Sequence, residues 1–150
     1  MPPHITQKLI AILLTTALAA CAGAPKLDET SEVAINQLYQ RVQQQDPAAF
    51  KELTQQAEQG DALAQDRLGL AYAQGKSVAQ DYAQAQQWLK RAAAQGYSWA
   101  AFRLGFLYEE GMGGERDVAQ ARDWYQRAAE LGNDSAAYNL AQLYMVGEEA

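Results

Sequence analysis

The sequence predicts an all-α fold, a solenoid of about seven stacked helices, because the chain repeats itself every 36 residues. Residues 60–95 and 96–131 align without a gap and agree at 15 of 36 positions, where chance would give about three. Within each unit, apolar residues recur three and four positions apart, as on one face of an α-helix. Units of about 20–50 residues bury their apolar face only by stacking on neighbours. The expected function is therefore carried by an extended surface rather than by a catalytic pocket.

The composition narrows the chemistry that the chain can perform. A formal net charge of −6 and a pI near 4.7 argue against nucleic acid as a partner, because such binding depends on Lys and Arg contacts to phosphate. His4 is the only histidine and Cys21 the only cysteine. A Ser-His-Asp or Cys-His nucleophile, a His/Cys metal site and an internal disulfide are therefore excluded from the rest of the chain, and no cofactor is expected. A hydrolase that uses only carboxylates remains possible.

The first 20 residues have the pattern of a secretory signal peptide. Residues 1–8 form a short polar lead with one firm positive charge, Lys8, and residues 9–20 are an uncharged apolar run. Such a run spans about 18 Å as a helix, too short for the roughly 30 Å hydrocarbon core of a bilayer. We therefore interpret residues 1–20 as a leader that directs export.

The end of this leader carries a more specific pattern. Residues 18–21 read Leu-Ala-Ala-Cys, which resembles the lipobox of bacterial lipoproteins and implies cleavage before Cys21 and lipid, such as palmitate, on its sulfur. Ala22 favours the outer membrane by resemblance, facing the periplasm, since an Asp there commonly signals inner-membrane retention. Two alternatives stay open: residues 17–19, Ala-Leu-Ala, also fit a cleavage site that would release a soluble periplasmic protein, and Cys21 could be incidental. Residues 21–29 lack apolar periodicity and read as a lipidated tether.

A helical hairpin is expected to precede the full repeats. Thr30 or Ser31 can cap a helix that runs to about Gln45. Asp46-Pro47 predicts a restart, since Asp caps helices and Pro suits their first position. We interpret residues 30–59 as a diverged unit that caps the stack.

Each full unit contains two helices. Ala64, Leu68 and Tyr72 lie on one stripe of the first helix. Gly69 beside them suggests that a neighbouring helix comes close, because Gly inside a helix costs roughly 1 kcal/mol relative to Ala. The second helix combines small residues with one large ring in each layer. Its apolar positions in the two units are Ala85, Trp88, Leu89, Ala92 and Ala93, then Ala121, Trp124, Tyr125, Ala128 and Ala129.

Polar residues and glycines mark the ends of the second helices. Asp81 and Asp117 are expected to accept backbone N–H bonds at the start of each. Gly96 and Gly132 are well placed to end them in the left-handed conformation.

The third unit, residues 132–150, is partial. It contains one helix, expected over about 133–146, and lacks a second, so Leu140, Leu143 and Tyr144 have less cover. Terminal repeats normally need a polar outer face. This edge is either a simple end cap or a surface that docks a partner or a second copy, and a monomer is favoured.

The recurring residues resemble the Sel1-like repeat, a relative of the tetratricopeptide repeat. The pattern consists of Ala64, Leu68-Gly69, Tyr72, Gly75, Asp81, Ala85, Trp88, Ala92-Ala93 and Gly96, and most of it returns 36 residues later. Ser77, Gly114 and Ala141 depart from it, which affects loop geometry rather than the fold. The resemblance implies antiparallel helix pairs in a right-handed superhelix and a role as an adaptor for other proteins.

The same resemblance places the first helix of each unit on the concave face. Trp99, Phe102 and Phe106 fall on one stripe of such a helix, and Leu63, Leu70 and Tyr138 occupy equivalent positions in the neighbouring units. The hypothesis is an apolar, aromatic groove that binds an extended peptide, a helix or a glycan strand. The alternative is that these side chains pack the units together, although Trp99 is less expected in a core.

Three function classes follow. The leading hypothesis is a lipid-anchored, non-catalytic scaffold of the bacterial cell envelope that binds an unidentified envelope protein. The alternative is recognition of an envelope glycan, peptidoglycan or an exported polysaccharide, on which Trp99 and Phe102 would stack. A hydrolase is less favoured: the carboxylates Glu109, Glu110 and Asp123 have the spacing of a solvated face, with no base nearby.

Overall fold

The computed structural model describes residues 29–148, and within that range it contains seven α-helices and no strand. The helices are α1 Glu29–Gln43, α2 Pro47–Glu58, α3 Ala62–Gln74, α4 Tyr82–Ala94, α5 Ser98–Glu110, α6 Val118–Glu130 and α7 Asp134–Glu148. The all-α repeat architecture is as predicted. The leader, Cys21 and almost all of the tether lie outside the described residues. No described helix has both the length and the apolar character needed to cross a bilayer.

The helices stack in chain order, each packing on the next, and α1 also contacts α3. Their apolar faces form two core clusters, one among α1, α2 and α3 with Trp88, and one among α4 to α7. Tyr97, at the entrance to α5, packs against both clusters. The first helices of the units, α1, α3, α5 and α7, therefore alternate with second helices that tie them together.

Aspartates begin the second helices α2, α4 and α6, as the sequence predicts. The Asp46 Oδ1 accepts the N–H groups of Ala48 and Ala49 at 2.9 and 3.2 Å, and Asp81 and Asp117 each accept one backbone N–H in the same way. A carboxylate there satisfies N–H groups that have no partner inside the helix. Gly96 and Gly132 follow their helices with φ of 84° and 87°, which confirms their left-handed role.

The bounds of α1 differ from the prediction. Thr30 and Ser31 lie inside its first turn, because the helix already includes Glu29. Glu29 and Glu32 lie in its first turn, where negative charge interacts favourably with the helix dipole. The helix ends at Gln43 rather than near Gln45, whose φ of 65° takes the backbone out of the helical region.

The glycine inside each first helix lies against a side chain of the following helix. A Cβ on Gly69 would lie 2.8 Å from Leu89 Cγ, and one on Gly105 would lie 2.5 Å from Tyr125 Cδ1. Ala141, which replaces this glycine in the third unit, is exposed. The close helix approach predicted from Gly69 is therefore present in both full units.

The α3–α4 loop is anchored on the first hairpin through Ser77. This residue has a left-handed φ of 59° at a position where the sequence pattern expects Gly. Its N–H donates to Gln45 Oε1 at 2.8 Å, and its hydroxyl donates to the Val42 carbonyl at 2.9 Å. The serine therefore ties the loop of one unit to the turn of the preceding one.

Candidate functional site

Four side chains of α5 form a stripe along one side of that helix. Trp99, Arg103, Phe106 and Glu110 are spaced i, i+4, i+7 and i+11, which keeps them on one face. Trp99 is 44% exposed and Phe106 42% exposed, so two large apolar side chains face solvent. The stripe extends about 16 Å along the helix axis. We call the surface that it forms with the facing side chains of α1, α3 and α7 the α5 groove.

The centre of the α5 groove is an apolar pocket between α3 and α5. It has a volume of about 240 Å³. Leu70 of α3 and Phe106 of α5 form its sides, Leu89 lies among its lining residues from α4, and Arg103 reaches one edge. A cavity of about 150 Å³ can hold a benzene ring. The pocket is therefore large enough to take an aromatic or branched aliphatic side chain.

A cationic depression adjoins this pocket toward α1. Glu32, Arg67, Tyr97, Trp99 and Arg103 line it around a volume of about 220 Å³. The Arg103 guanidinium lies 5.6 Å from the centre of the Trp99 ring, within the range of a cation–π contact. Arg103 lines both this depression and the apolar pocket, so it marks the boundary between them.

A buried carboxylate holds the two arginines in place. Asp66 is fully buried, and its two oxygens accept from Arg67 Nη1 at 2.9 Å and from Arg103 Nη1 at 2.8 Å. Arg67 also donates from Nε and Nη2 to Asn36 Oδ1 at 3.1 and 2.9 Å. Polar contacts thus join α1, α3 and α5 along the floor of the groove. Burial raises the pKa of the Asp66 carboxyl, and the charges of Arg103 and Arg67 oppose that rise.

The other end of the α5 groove is acidic. Phe106, Glu109, Glu110 and Tyr138 are among the residues that line a depression of about 260 Å³ between α5 and α7. Glu109 Oε2 accepts from the Tyr125 hydroxyl at 2.7 Å, and the Glu110 side chain makes no hydrogen bond or ion pair with any other residue that the structure describes. Burial and this bond raise the pKa of the Tyr125 hydroxyl. Two carboxylates therefore line the depression, and the Tyr125 hydroxyl holds that of Glu109 in place.

The structure brings most of the predicted site residues to this surface. Trp99 and Phe106 lie on the stripe, Leu70 lines the apolar pocket, and Tyr138 is 65% exposed beside the acidic depression. Phe102 is half-buried, and its ring contacts those of Trp99 and Tyr125, each at 5.6 Å between centroids.

Leu63 does not lie at this surface. Its side chain is 1% exposed and belongs to the core cluster of α1, α2 and α3. The expectation that Leu63 lines the groove is therefore wrong, because this position faces the preceding hairpin. Val42 and Leu53 are among the buried residues of the same cluster.

The arginines and Asp66 are the features that sequence reasoning missed. Asp66 stands where Phe102 and Tyr138 stand in the next two units, and Arg67 recurs as Arg103. Two features could have revealed the contact. Asp66 is an acid at an otherwise aromatic position, and a recurring arginine, Arg103, follows it 37 residues later. Over residues 29–148 no group of three or more His, Cys, Asp or Glu side chains is arranged to hold a metal ion.

Comparison with known proteins identifies the repeat. Residues 62–97, 100–133 and 134–149 match the model of the Sel1 repeat and together make up more than half of the chain. No curated protein sequence matches. Among solved structures, the chain is similar to a protective antigen of uropathogenic Escherichia coli strains that displays an SLR fold. The two share 44% identity with a TM-score of 0.63, over 65% of this chain and 21% of that one.

A second similar structure is a Sel1 repeat protein from Oxalobacter formigenes. It shares 28% identity with a TM-score of 0.65, over 81% of this chain and 52% of that protein. The chain thus spans about a fifth of the first structure and about half of the second. The matched repeats, the helix pairs and the intervals of 36 residues agree with one another, and the chain belongs to the Sel1 repeat family.

Proposed function

We propose that the chain is a non-catalytic scaffold that binds a partner protein in the α5 groove. Sel1-repeat proteins generally mediate protein–protein interaction. The observation that carries the proposal is the exposure of Trp99 and Phe106 on either side of Arg103, with Arg103 and Phe106 lining an open apolar pocket. Trp and Arg are enriched among the residues that dominate binding energy at protein interfaces. The groove therefore combines an apolar anchor site with charged groups that can orient a partner.

Partner capture in cells tests this role. Membranes from cells that produce the full chain are treated with a crosslinker, and the attached proteins are identified by mass spectrometry. Trp99→Ala and Phe106→Ala are each expected to reduce capture of the partner at least ten-fold, because loss of a central aromatic side chain typically costs about 2 kcal/mol or more. Leu131→Ala is the matched control, since Leu131 is also 42% exposed but lies outside the groove. Equal capture by the folded variants would contradict the proposal.

Protein is favoured over glycan by the surroundings of Trp99. A sugar that stacks on an aromatic ring needs an open face. The Arg103 guanidinium lies over this ring, and Phe102 meets it edge to face at an interplanar angle of 88°. A pull-down on purified peptidoglycan tests the glycan alternative, and retention that depends on Trp99 would favour it instead.

We also propose that lipid on Cys21 anchors the protein to the outer membrane, facing the periplasm. The support is the Leu-Ala-Ala-Cys run that ends at Cys21, with Ala22 after it. Metabolic labelling with palmitate is expected to mark the wild-type chain and not Cys21→Ser. The substituted chain is expected in the soluble periplasmic fraction, and membrane association without label would contradict the anchor.

A further inference from the structure

The α5 groove changes its electrostatic character along its length. Arg67 and Arg103 lie at one end, the apolar pocket at the centre, and Glu109 and Glu110 at the other end. We infer that the occupant is an extended protein segment with an acidic, an apolar and a basic side chain in that order, at alternate positions. This inference rests on the proposed function and specifies the partner of the same groove.

The cationic end has hydrogen-bonding capacity that the protein does not use. A guanidinium carries five N–H donors, and Arg103 uses Nη1 for Asp66 while its other N–H groups find no acceptor within residues 29–148. Two arginines share the one carboxylate of Asp66. Glu32 also lines the depression, and no ion pair within 4 Å joins it to either arginine. A carboxylate of the partner would therefore accept from the N–H groups of Arg103 that have no acceptor within residues 29–148.

The acidic end has the opposite requirement. Glu110 is exposed and has no cationic partner in the described part of the chain. Glu109 lies beside it, and the hydroxyl bond from Tyr125 fixes one of its oxygens. A lysine or arginine of the partner would meet both carboxylates here, and an acidic side chain would be repelled.

The spacing of these groups fits an extended chain. Arg103 and Glu110 are seven residues apart on α5, about 10 Å along the helix axis. In an extended segment every second side chain points the same way, and residues i and i+4 lie about 13 Å apart. An acidic residue at i would therefore reach Arg103, an apolar residue at i+2 the Leu70–Phe106 pocket, and a basic residue at i+4 Glu110. The long, flexible charged side chains would make up the difference between the two distances.

Designed peptides test this order directly. The reference peptide contains Glu-Ser-Phe-Ser-Lys between short Gly-Ser flanks. Three comparison peptides carry Lys at both ends, Glu at both ends, or Ser in place of Phe. Binding to the full chain is measured by NMR, from the shift of the Trp99 indole N–H during titration. We expect the reference peptide to bind about three- to ten-fold more tightly than either like-charged peptide, and the Ser peptide not to bind measurably.

Charge reversal at Glu110 provides the matched test on the protein side. In Glu110→Lys the peptide with Glu at both ends is expected to become the tightest ligand. Glu58→Lys makes the same change in net charge on an exposed residue of α2 and is expected to leave the preference unchanged. Equal binding of all three Phe peptides, or the same preference in both lysine variants, would overturn the inferred order.

The two proposals can fail separately. If no peptide shifts the Trp99 signal while partner capture still requires Trp99 and Phe106, the inferred order is wrong and the groove function stands. If partner capture is also independent of both residues, the groove function is wrong as well.

Discussion

Gly105 and Tyr125 lie in such close contact that a Cβ on Gly105 would be 2.5 Å from Cδ1 and 2.6 Å from Cε1 of the ring. The ring is fully buried, and its hydroxyl is fixed by Glu109. Because neither the ring nor the α5 backbone can move far, the distance between α5 and α6 depends on the absence of a side chain at this glycine. The same relationship joins Gly69 and Leu89 one unit earlier.

Gly105→Ala is expected to lower the free energy of unfolding. Overpacking in a core costs about 1–3 kcal/mol, and the better helix propensity of Ala offsets up to about 1 kcal/mol of that cost. Urea denaturation followed by circular dichroism measures the difference. Gly114→Ala is the control, because a Cβ on Gly114 has no atom within 4 Å. An unchanged midpoint for Gly105→Ala would show that the overpacking cost does not exceed the gain in helix propensity.

Asp66 and Arg103 are expected to couple strongly in a double-mutant cycle. Removing one partner leaves a buried or half-buried charge without its counterion, which is costly. The variants Asp66→Asn and Arg103→Gln, alone and combined, should give a coupling energy of about 1–3 kcal/mol in urea denaturation. The exposed pair of Arg41 and Asp46, with its 2.7 Å contact, should couple more weakly. Equal coupling in the two cycles would mean that the burial of Asp66 adds nothing.

The N-cap Asp46 is expected to contribute stability that is lost in acid. The N–H of Ala49 and the Arg41 guanidinium favour its ionised form and lower the pKa of its carboxyl below the ordinary value of 3.8. The contribution is therefore present above that value and disappears as pH falls through the lower folded pKa. Asp46→Asn keeps the cap without the charge. The stability difference between the two proteins should shrink as pH falls below about 3.8 and through the lower folded pKa, and a constant difference would contradict this account.

Ser77 is expected to tolerate glycine better than alanine. Both substitutions remove the hydroxyl bond to Val42, worth about 1 kcal/mol. Alanine retains the cost of the left-handed backbone, whereas glycine relieves about 1 kcal/mol of it. Thermal unfolding should therefore rank wild type and Ser77→Gly close together and Ser77→Ala below both. Equal stability of the two variants would show that this loop carries no backbone strain.

Most of the fold could be predicted because each position of the repeat occurs at least twice in the sequence. Gly69, Asp81 and Gly96 each recur 36 residues later, so their helix-packing and capping roles were visible without the structure. The bounds of α1 were not visible, because the hairpin has diverged and Thr30 lies within the helix rather than before it.

Residues of the candidate site could be predicted only where a large apolar side chain stands at a position that the repeat does not fix. Trp99 and Phe106 were found because aromatic residues on a first helix stand out. Leu63 was misplaced, because stripe position alone does not tell a leucine facing solvent from one facing the hairpin. The Asp66 contact was missed, since single-residue patterns do not show that a lone acid is paired with an arginine of the next unit.

The Asp66–Arg103 contact depends on which unit follows which. Asn139 of the third unit occupies the position that Arg103 occupies in the second, and Phe102 occupies that of Asp66. A chain from which residues 96–131 were deleted would bring Asn139 against Asp66 and leave the buried carboxylate with only one guanidinium. The units look alike in their helices but are not interchangeable modules, so the second unit could not be lost without a matching change at the joint.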